Sequence, residues 1–209
     1  MPSEIPDALT PLNRLALSYA TADMRKPVRT LLLLDQRLGA ILRLGGEPMI
    51  AQIKLAWWRD GLSEDPFLWP AGEPLLERLR MWSGDIAQLS AMVDGFEVLL
   101  SEEFGEAELD AYAAGRGRGW ALLAGGAPDV ERAARQWAIA DLLPHLGKQE
   151  EAEIARAKLG ESAPKLSRPY RPLAVLRRLA VRAARNGSAD ALHGPGALIA
   201  ALRAGLTGR

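Results

Sequence analysis

The sequence predicts an all-α protein that folds as a single domain. Apolar residues recur at helical spacing in most segments of the 209-residue chain, and no segment alternates with a period of two for long enough to form a strand. Nearly half of the residues are apolar, which is enough for a sizeable core. These observations predict a bundle of many helices but leave the order of their packing open.

Prolines and turn residues divide the chain into ten predicted helices. The first helix is predicted within residues 9–20, with Thr10 as its N-terminal cap and Pro11 at the first helical position. Two prolines then start the next helices, which are predicted over residues 27–44 and 48–62. The other helices are predicted near residues 73–82, 84–102, 106–124, 129–146, 148–159, 172–185 and 189–205. The proline-rich stretches at residues 63–74 and 160–172 are predicted loops.

Composition excludes several kinds of site. The chain has no cysteine, so disulfides, thiol catalysis and thiolate metal sites are impossible, and two histidines are too few for a histidine-rich metal site. The most apolar run, residues 28–44, contains Arg29, Asp35, Arg37 and Arg43 and is therefore poorly suited to spanning a bilayer. The first residues lack the layout of a secretory signal. We expect a cytoplasmic protein.

Charge is distributed unevenly along the chain. Residues 1–155 hold 15 Lys and Arg against 24 Asp and Glu, whereas residues 156–209 hold 11 against 2. This asymmetry indicates either an anionic partner for the tail or attraction between two parts of one fold, and we favour the second interpretation. No nucleic-acid-binding motif accompanies the basic charge, so nucleic acid is not an expected partner.

The basic C-terminal helical part, residues 162–209, contains one strongly amphipathic helix. On the helix predicted at 171–185, the apolar stripe is opposed by a basic stripe of Arg171, Arg178, Arg182 and Arg185. Such a helix can make a peripheral contact with an anionic membrane, or it can pack its apolar side on the protein and leave the arginines in water. We favour the packing interpretation.

The stretch "AQIKLAWWRDGL", residues 51–62, places two tryptophans side by side on a predicted helix. Adjacent helical positions point about 100° apart, so Trp57 and Trp58 cannot both occupy the middle of one buried stripe. Met49, Ile53 and Ala56 fall on the same side as Trp57. We therefore expect a central helix that is buried on more than one face, with Trp57 and Trp58 packed in the core or lining a cavity.

"IKLAWWRDGL" resembles the "RL-x-WWR-D/E-A-L" signature of the squalene/phytoene synthase family, the head-to-head trans-prenyltransferases. The resemblance continues upstream in "LLLLDQRLGAIL" and "GGEPMIAQ". Downstream it continues in "SAMVDGFEVLL", "LDAYAAGRGRGWALLAGG" and "ERAARQWAIADLLPHL". These segments cover residues 12–146 in order and continue more weakly through "RPYRPLAVLRRLA". The resemblance implies a multi-helix bundle of the isoprenoid synthase type.

In active members, two aspartate-rich motifs on facing helices hold magnesium ions that bind the diphosphate of an isoprenoid substrate. Magnesium requires hard oxygen ligands, and aspartates spaced by four share one helical face. This chain has no such pair: Gly39 follows Asp35 by four residues, and His145 follows Asp141. Asp141 and His145 alone would be two ligands and not a metal site. The pattern resembles a diverged branch without intact motifs, to which the assembly factors of respiratory complex I belong.

We therefore expect a protein without prenyltransferase activity that binds an isoprenoid-like or lipid-like molecule, or a protein partner, as an assembly or accessory factor. One alternative is an active Mg-dependent prenyltransferase with ligands at unusual positions, and another is a helical adaptor without a ligand. For a residual site, carboxylates would hold metal and arginines diphosphate. The candidate residues are Asp35, Arg37, Arg59, Asp94, Glu97, Arg116, Arg118 and Asp141.

The glycine-rich run "AGRGRGWALLAGG" surrounds two of these candidates. It follows a helical pattern and no strand, so the context of a nucleotide-binding loop is absent. Close helix packing at Gly115, Gly117 and Gly119 is the favoured interpretation. Each glycine weakens a helix by about 1 kcal/mol, so a bend or break is expected there. Such an elbow, with Arg116 and Arg118 beside an apolar cavity, could hold an anionic head group.

Overall fold

A computed structural model describes residues 8–44, 46–159 and 164–209 of the chain. Within these ranges all regular structure is helical, which confirms the all-α prediction. The α-helices are α1 (Pro11–Leu17), α2 (Arg25–Leu44), α3 (Pro48–Ser63), α4 (Pro74–Leu79), α5 (Ser90–Glu97), α6 (Glu106–Leu123), α7 (Pro128–Leu142), α8 (Gln149–Lys158), α9 (Arg171–Arg185) and α10 (Gly196–Thr207). No helix in the described ranges is long and apolar enough to cross a bilayer.

The most extensive helix contacts in the second half of the protein connect α5, α6, α7, α9 and α10. Helix α6 packs between α5 and α7, α7 packs against α9, and α9 packs against α10. Helix α2 runs across this arrangement and contacts α1, α3, α4, α5 and α6. The consecutive leucines 31–34 are all buried, so α2 contributes to the core on several faces. Buried apolar residues from Leu9 to Ala204 belong to one hydrophobic cluster.

Local sequence explains where helices begin and end. The Thr10 hydroxyl accepts a hydrogen bond from the Asn13 N–H at 3.2 Å, as expected for the predicted cap. The predicted helix at 84–102 is divided, because 3-10 turns at Ile86–Leu89 and Val98–Leu100 flank α5. The predicted helix at 189–205 begins later, at Gly196, because Gly194 takes a left-handed φ of 77°. The predicted loop at 160–172 lies partly outside the described residues.

Helix α6 is continuous through its glycines, so the expected break does not occur. A Cβ atom on Gly115 would lie 2.5 Å from the Ala91 carbonyl oxygen, and one on Gly119 would lie 2.1 Å from a Leu31 methyl carbon. The glycines therefore allow α6 to approach α5 and α2 more closely than any other residue would. The packing gained by this approach offsets the helix cost of about 1 kcal/mol for each glycine.

Helix α3 is peripheral, so the expectation of a central helix buried on more than one face is also wrong. Its buried residues are Ala51, Leu55, Trp58 and Leu62, which form one stripe. On the outer side, Met49, Ile53 and Trp57 are exposed at 68%, 64% and 46%. The two tryptophans divide between the core and the surface because adjacent helical positions point in different directions.

Helix α9 packs its apolar side into the protein, which confirms the packing interpretation of the basic amphipathic helix. Leu173, Leu176 and Ala180 are buried, and α7 and α10 lie against α9. Of its arginines, Arg178 and Arg185 are exposed.

Candidate functional site

A buried arginine joins the two aspartates at which the resemblance places the aspartate-rich motifs. Arg116 on α6 donates from Nε and Nη2 to the two carboxylate oxygens of Asp35 on α2, at 2.7 and 3.0 Å. Its Nη1 donates to Asp141 Oδ2 on α7 at 2.7 Å and to the Tyr112 hydroxyl at 2.8 Å. These four residues, the Arg116 cluster, connect three helices.

The surroundings of the cluster keep the guanidinium charged and fixed. The Arg116 side chain is 8% exposed, as is that of Asp35, whereas the Asp141 side chain is 34% exposed. Burial alone would lower the pKa of Arg116, but Asp35, Tyr112 and Asp141 outweigh it and hold this pKa well above its ordinary value. The guanidinium carbon lies 4.2 Å from the centroid of the Trp137 ring, a cation–π distance.

Tyr112 remains a neutral phenol because burial raises the pKa of its hydroxyl above the ordinary value. The cluster therefore carries one positive charge and two carboxylates, with the more solvent-accessible negative charge on Asp141.

The cluster does not fit a magnesium ion. Both oxygens of Asp35 and one oxygen of Asp141 already accept hydrogen bonds from Arg116. The positive guanidinium lies where a metal would have to bridge the two carboxylates, and it would repel a divalent cation. In the part of the chain that the structure describes, no group of three or more acidic or histidine side chains could hold a metal.

Three of the remaining candidate residues form a second, separate cluster between α3 and α5. Arg59 donates to Asp94 at 2.7 Å and also to Glu97. Burial would lower the pKa of Arg59, but these two carboxylates raise it above its ordinary value. This cluster is half-exposed and joins two helices.

The last two candidates have unrelated partners. Arg37 donates to Glu73 at 3.2 Å and lies over the Trp58 ring, with 5.7 Å between the guanidinium carbon and the ring centroid. Arg118 donates to Gln88 on the protein surface. The eight predicted residues are thus divided among four places, and the expected juxtaposition of Arg116 and Arg118 at one anion site does not occur.

An open cavity of about 740 Å³ lies beside the Arg116 cluster, and Asp35, Tyr112, Arg116 and Asp141 form part of its wall. The rest of the wall is mixed in polarity and comes from residue 10, α1, α2, α5, α7, α8, α9 and the segments 98–104 and 142–148. Its polar and charged residues include Gln36, Ser101, Glu102, His145 and Glu151. Its apolar residues include Leu12, Leu42, Phe96, Leu99, Leu100, Phe104, Leu142 and Leu146. Trp57 and Trp58 do not line this cavity.

The cavity wall also contains basic residues that sequence reasoning did not select. The exposed Arg43 lies one turn after Gly39 on α2, and its Nη1 would be 3.2 Å from a Cβ atom at Gly39. No hydrogen bond or ion pair joins Arg43 to any of the described residues. Lys148 also lines the cavity and pairs with Glu151 at 3.1 Å. The sequence could have indicated Arg43 as a residue of the cavity wall, because it follows Gly39 by four residues and residues four apart share a helical face.

Two aromatic members of the site were detectable in the same way. Tyr112 precedes Arg116 by four residues, and Trp137 precedes Asp141 by four residues. Each aromatic residue therefore shares a helical face with the charged residue that it contacts or flanks.

No protein-family model, curated protein or solved structure matches this chain. A family assignment therefore depends on the sequence motifs alone.

Proposed function

We propose that this protein is a diverged helical bundle of the squalene/phytoene synthase type that binds an isoprenoid-like or lipid-like amphiphile without reacting with it. One observation carries the proposal: Arg116 engages the carboxylates at both motif positions, while an open cavity lined in part by leucine and phenylalanine side chains remains beside them. The proposal makes the cavity a binding site and gives the buried ion pairs a structural role.

The size and lining of the cavity support an amphiphilic ligand. A volume of about 740 Å³ falls within the range of about 300–1,000 Å³ that is typical of small-molecule sites. Leucine and phenylalanine side chains would cover an apolar chain. Arg43 offers a guanidinium at the wall that has no partner among the described residues, which suits a phosphate or carboxylate head group. The negative Asp141 would favour a head group placed away from it and towards Arg43.

A thermal-shift experiment with farnesyl diphosphate in EDTA tests the proposal. Binding to the folded state at 100 times Kd would raise the free energy of unfolding by about 2.7 kcal/mol. For a chain of this size that corresponds to a rise in Tm of about 5–10 °C. Arg43→Glu is expected to abolish most of the shift. The matched control is Arg78→Glu on the exposed side of α4, which leaves the cavity unchanged.

Two outcomes would overturn the proposal in different ways. Timed release of diphosphate from labelled farnesyl or geranylgeranyl diphosphate in the presence of Mg²⁺ would establish a prenyltransferase. Absence of any shift with farnesyl diphosphate and with an alkyl phosphate would favour a protein-binding adaptor. The exposed apolar stripe of Met49, Ile53 and Trp57 on α3 is the observation that supports that second candidate.

A further inference from the structure

Helix α10 presents a row of aliphatic side chains to solvent. Leu198, Ile199, Leu202 and Leu206 are exposed at 59%, 69%, 45% and 66%, and their spacing places them on one face. The opposite face consists of small buried residues that pack closely on the protein, namely Ala197, Ala201, Ala204 and Gly205. This packing fixes the direction in which the aliphatic face points.

The contact at Gly205 shows how closely α10 is held. A Cβ atom there would lie 2.1 Å from the Tyr19 ring, so this position accepts only glycine without rearrangement. Helix α10 is therefore a fixed part of the fold with an uncovered apolar side, and not a segment that could turn this side inwards.

Basic residues lie on α10 and at both of its ends. Arg203 is exposed on α10 itself, and Arg182 lies at the beginning of the helix, where it donates to the His193 carbonyl at 2.8 Å. At the other end, the Leu166 N–H donates to the Gly208 carbonyl at 2.9 Å. This contact brings further exposed basic residues to the end of the helix, namely Lys165, Arg168 and Arg209.

Ion pairs within the part of the chain that the structure describes do not neutralise these charges. Residues 164–209 hold nine Lys and Arg but only one acidic residue, Asp190. None of the nine basic side chains forms an ion pair with any carboxylate that the structure describes. Lys158 forms ion pairs with Glu106 and Asp110, both at 2.8 Å, but it lies before residue 164. Attraction between the two parts of the fold therefore accounts for few of the basic charges in the tail.

We propose that the α10 face binds the surface of an anionic lipid bilayer. Aliphatic side chains on one side of a helix enter the boundary between head groups and acyl chains, while neighbouring arginines bind lipid phosphates. This assigns membrane contact to residues 196–207, since the apolar side of 171–185 is covered by α7 and α10. The inference concerns a surface distinct from the cavity and does not depend on the cavity ligand.

Charge favours a bilayer over the other occupants of such a face. A second copy of this chain would bring two basic rims together across a two-fold axis, and their repulsion would oppose dimer formation. The exposed apolar stripe on α3 offers a contrast, because two acidic residues, Glu47 and Asp60, and only one lysine, Lys54, flank it. Two surfaces of similar apolarity thus differ in the sign of the surrounding charge, and only the α10 face is complementary to anionic lipid.

Vesicle sedimentation tests this assignment with the full-length chain. We expect the protein to sediment with phosphatidylcholine vesicles that contain about one-third phosphatidylglycerol, and not with phosphatidylcholine alone, with weaker binding at high salt. Leu202→Glu combined with Leu206→Glu should lower the partition coefficient about tenfold or more. Arg203→Glu should lower it without removing an apolar contact. The matched control is Ile53→Glu on α3, also at an exposed position, which should bind as the unsubstituted protein does.

The competing outcomes are distinct. The proposal is wrong if the unsubstituted protein does not bind the anionic vesicles, if the α10 variants bind normally, or if Ile53→Glu reduces binding equally. A dimer that Leu202→Glu converts to monomer, with vesicle binding unchanged, would show that a second copy covers the face. Unchanged Tm values confirm that the variants fold. If the double variant of Leu202 and Leu206 does not fold, the vesicle binding of Arg203→Glu tests the proposal in its place.

Discussion

Replacing Arg116 with methionine tests the role of the Arg116 cluster directly. Arg116→Met removes the guanidinium from a buried carboxylate, since the Asp35 side chain is only 8% exposed. Breaking a buried ion pair from one side costs about 3–5 kcal/mol because the remaining charge has no partner. At about 2–4 °C of Tm for each kcal/mol, we expect Tm to fall by about 6–20 °C.

The two aspartates should contribute unequally. Asp35 is buried and accepts two hydrogen bonds, so Asp35→Asn should cost about 3 kcal/mol. Asp141 accepts one hydrogen bond and its side chain is 34% exposed, so water can replace much of what is lost. We expect Asp141→Asn to cost about 1 kcal/mol. Asp35→Leu combined with Arg116→Met should recover most of the loss of the single Arg116 variant, because neither partner is left buried alone.

Urea unfolding of these variants gives the required free energies. The control is Arg132→Met, which breaks an exposed pair with Asp129 on one helix turn and should cost less than about 0.5 kcal/mol. Equal losses for Asp35→Asn and Asp141→Asn, or an Arg116→Met variant as stable as the control, would refute a buried structural clamp.

Three further predictions concern metal binding, helix packing and a second buried arginine. Millimolar Mg²⁺ should leave Tm unchanged, and a rise would reveal a metal site in the folded protein. Gly115→Ala should destabilise the protein by about 2–3 kcal/mol because the new methyl group meets backbone atoms, whereas Gly61→Ala, with open space around it, should stabilise α3 by about 0.5–1 kcal/mol. Burial, with a smaller contribution from Arg178, lowers the pKa of Arg177 to about 10, well below its ordinary value. The folded state therefore binds this proton less tightly than the unfolded state, so the contribution of Arg177 to stability should rise as pH increases above about 10. The raised pKa of Tyr112 acts in the opposite direction, so the contribution of Arg177 is the difference between the unsubstituted protein and Arg177→Met. Arg177→Met should abolish that contribution and raise stability at pH 7 by about 1–3 kcal/mol, as measured by urea unfolding.

The most accurate predictions from the sequence concerned the residues at which helices begin. The Thr10 cap and the proline-initiated helices followed from rules that operate within one helical turn. The break expected in α6 was wrong because the energetic benefit of the glycines comes from Ala91 and Leu31, which lie on other helices. A local propensity cannot reveal a contact made by residues distant in the chain.

The candidate site shows the same limit. Asp35 and Asp141 could be selected from the motif positions and Arg116 from the glycine-rich run, but the sequence indicated neither that they pair with one another nor that Arg59 binds Asp94 and Glu97. The first set of ion pairs depends on how α2, α6 and α7 pack together, and the second depends on how α3 packs against α5. The exposure of Trp57 was equally hidden, because an apolar stripe does not reveal whether another helix covers it.

The guanidinium of Arg116 gives this bundle an internal cation that is covalently part of the chain. A metal held between two helices can be withdrawn by a chelator or exchanged for another ion, and the spacing of the helices then depends on supply. An arginine cannot dissociate, and its charge persists at any pH that cells tolerate. The geometry of the adjoining cavity should therefore not depend on the ionic composition of the solution, and a ligand always meets an entrance of the same shape.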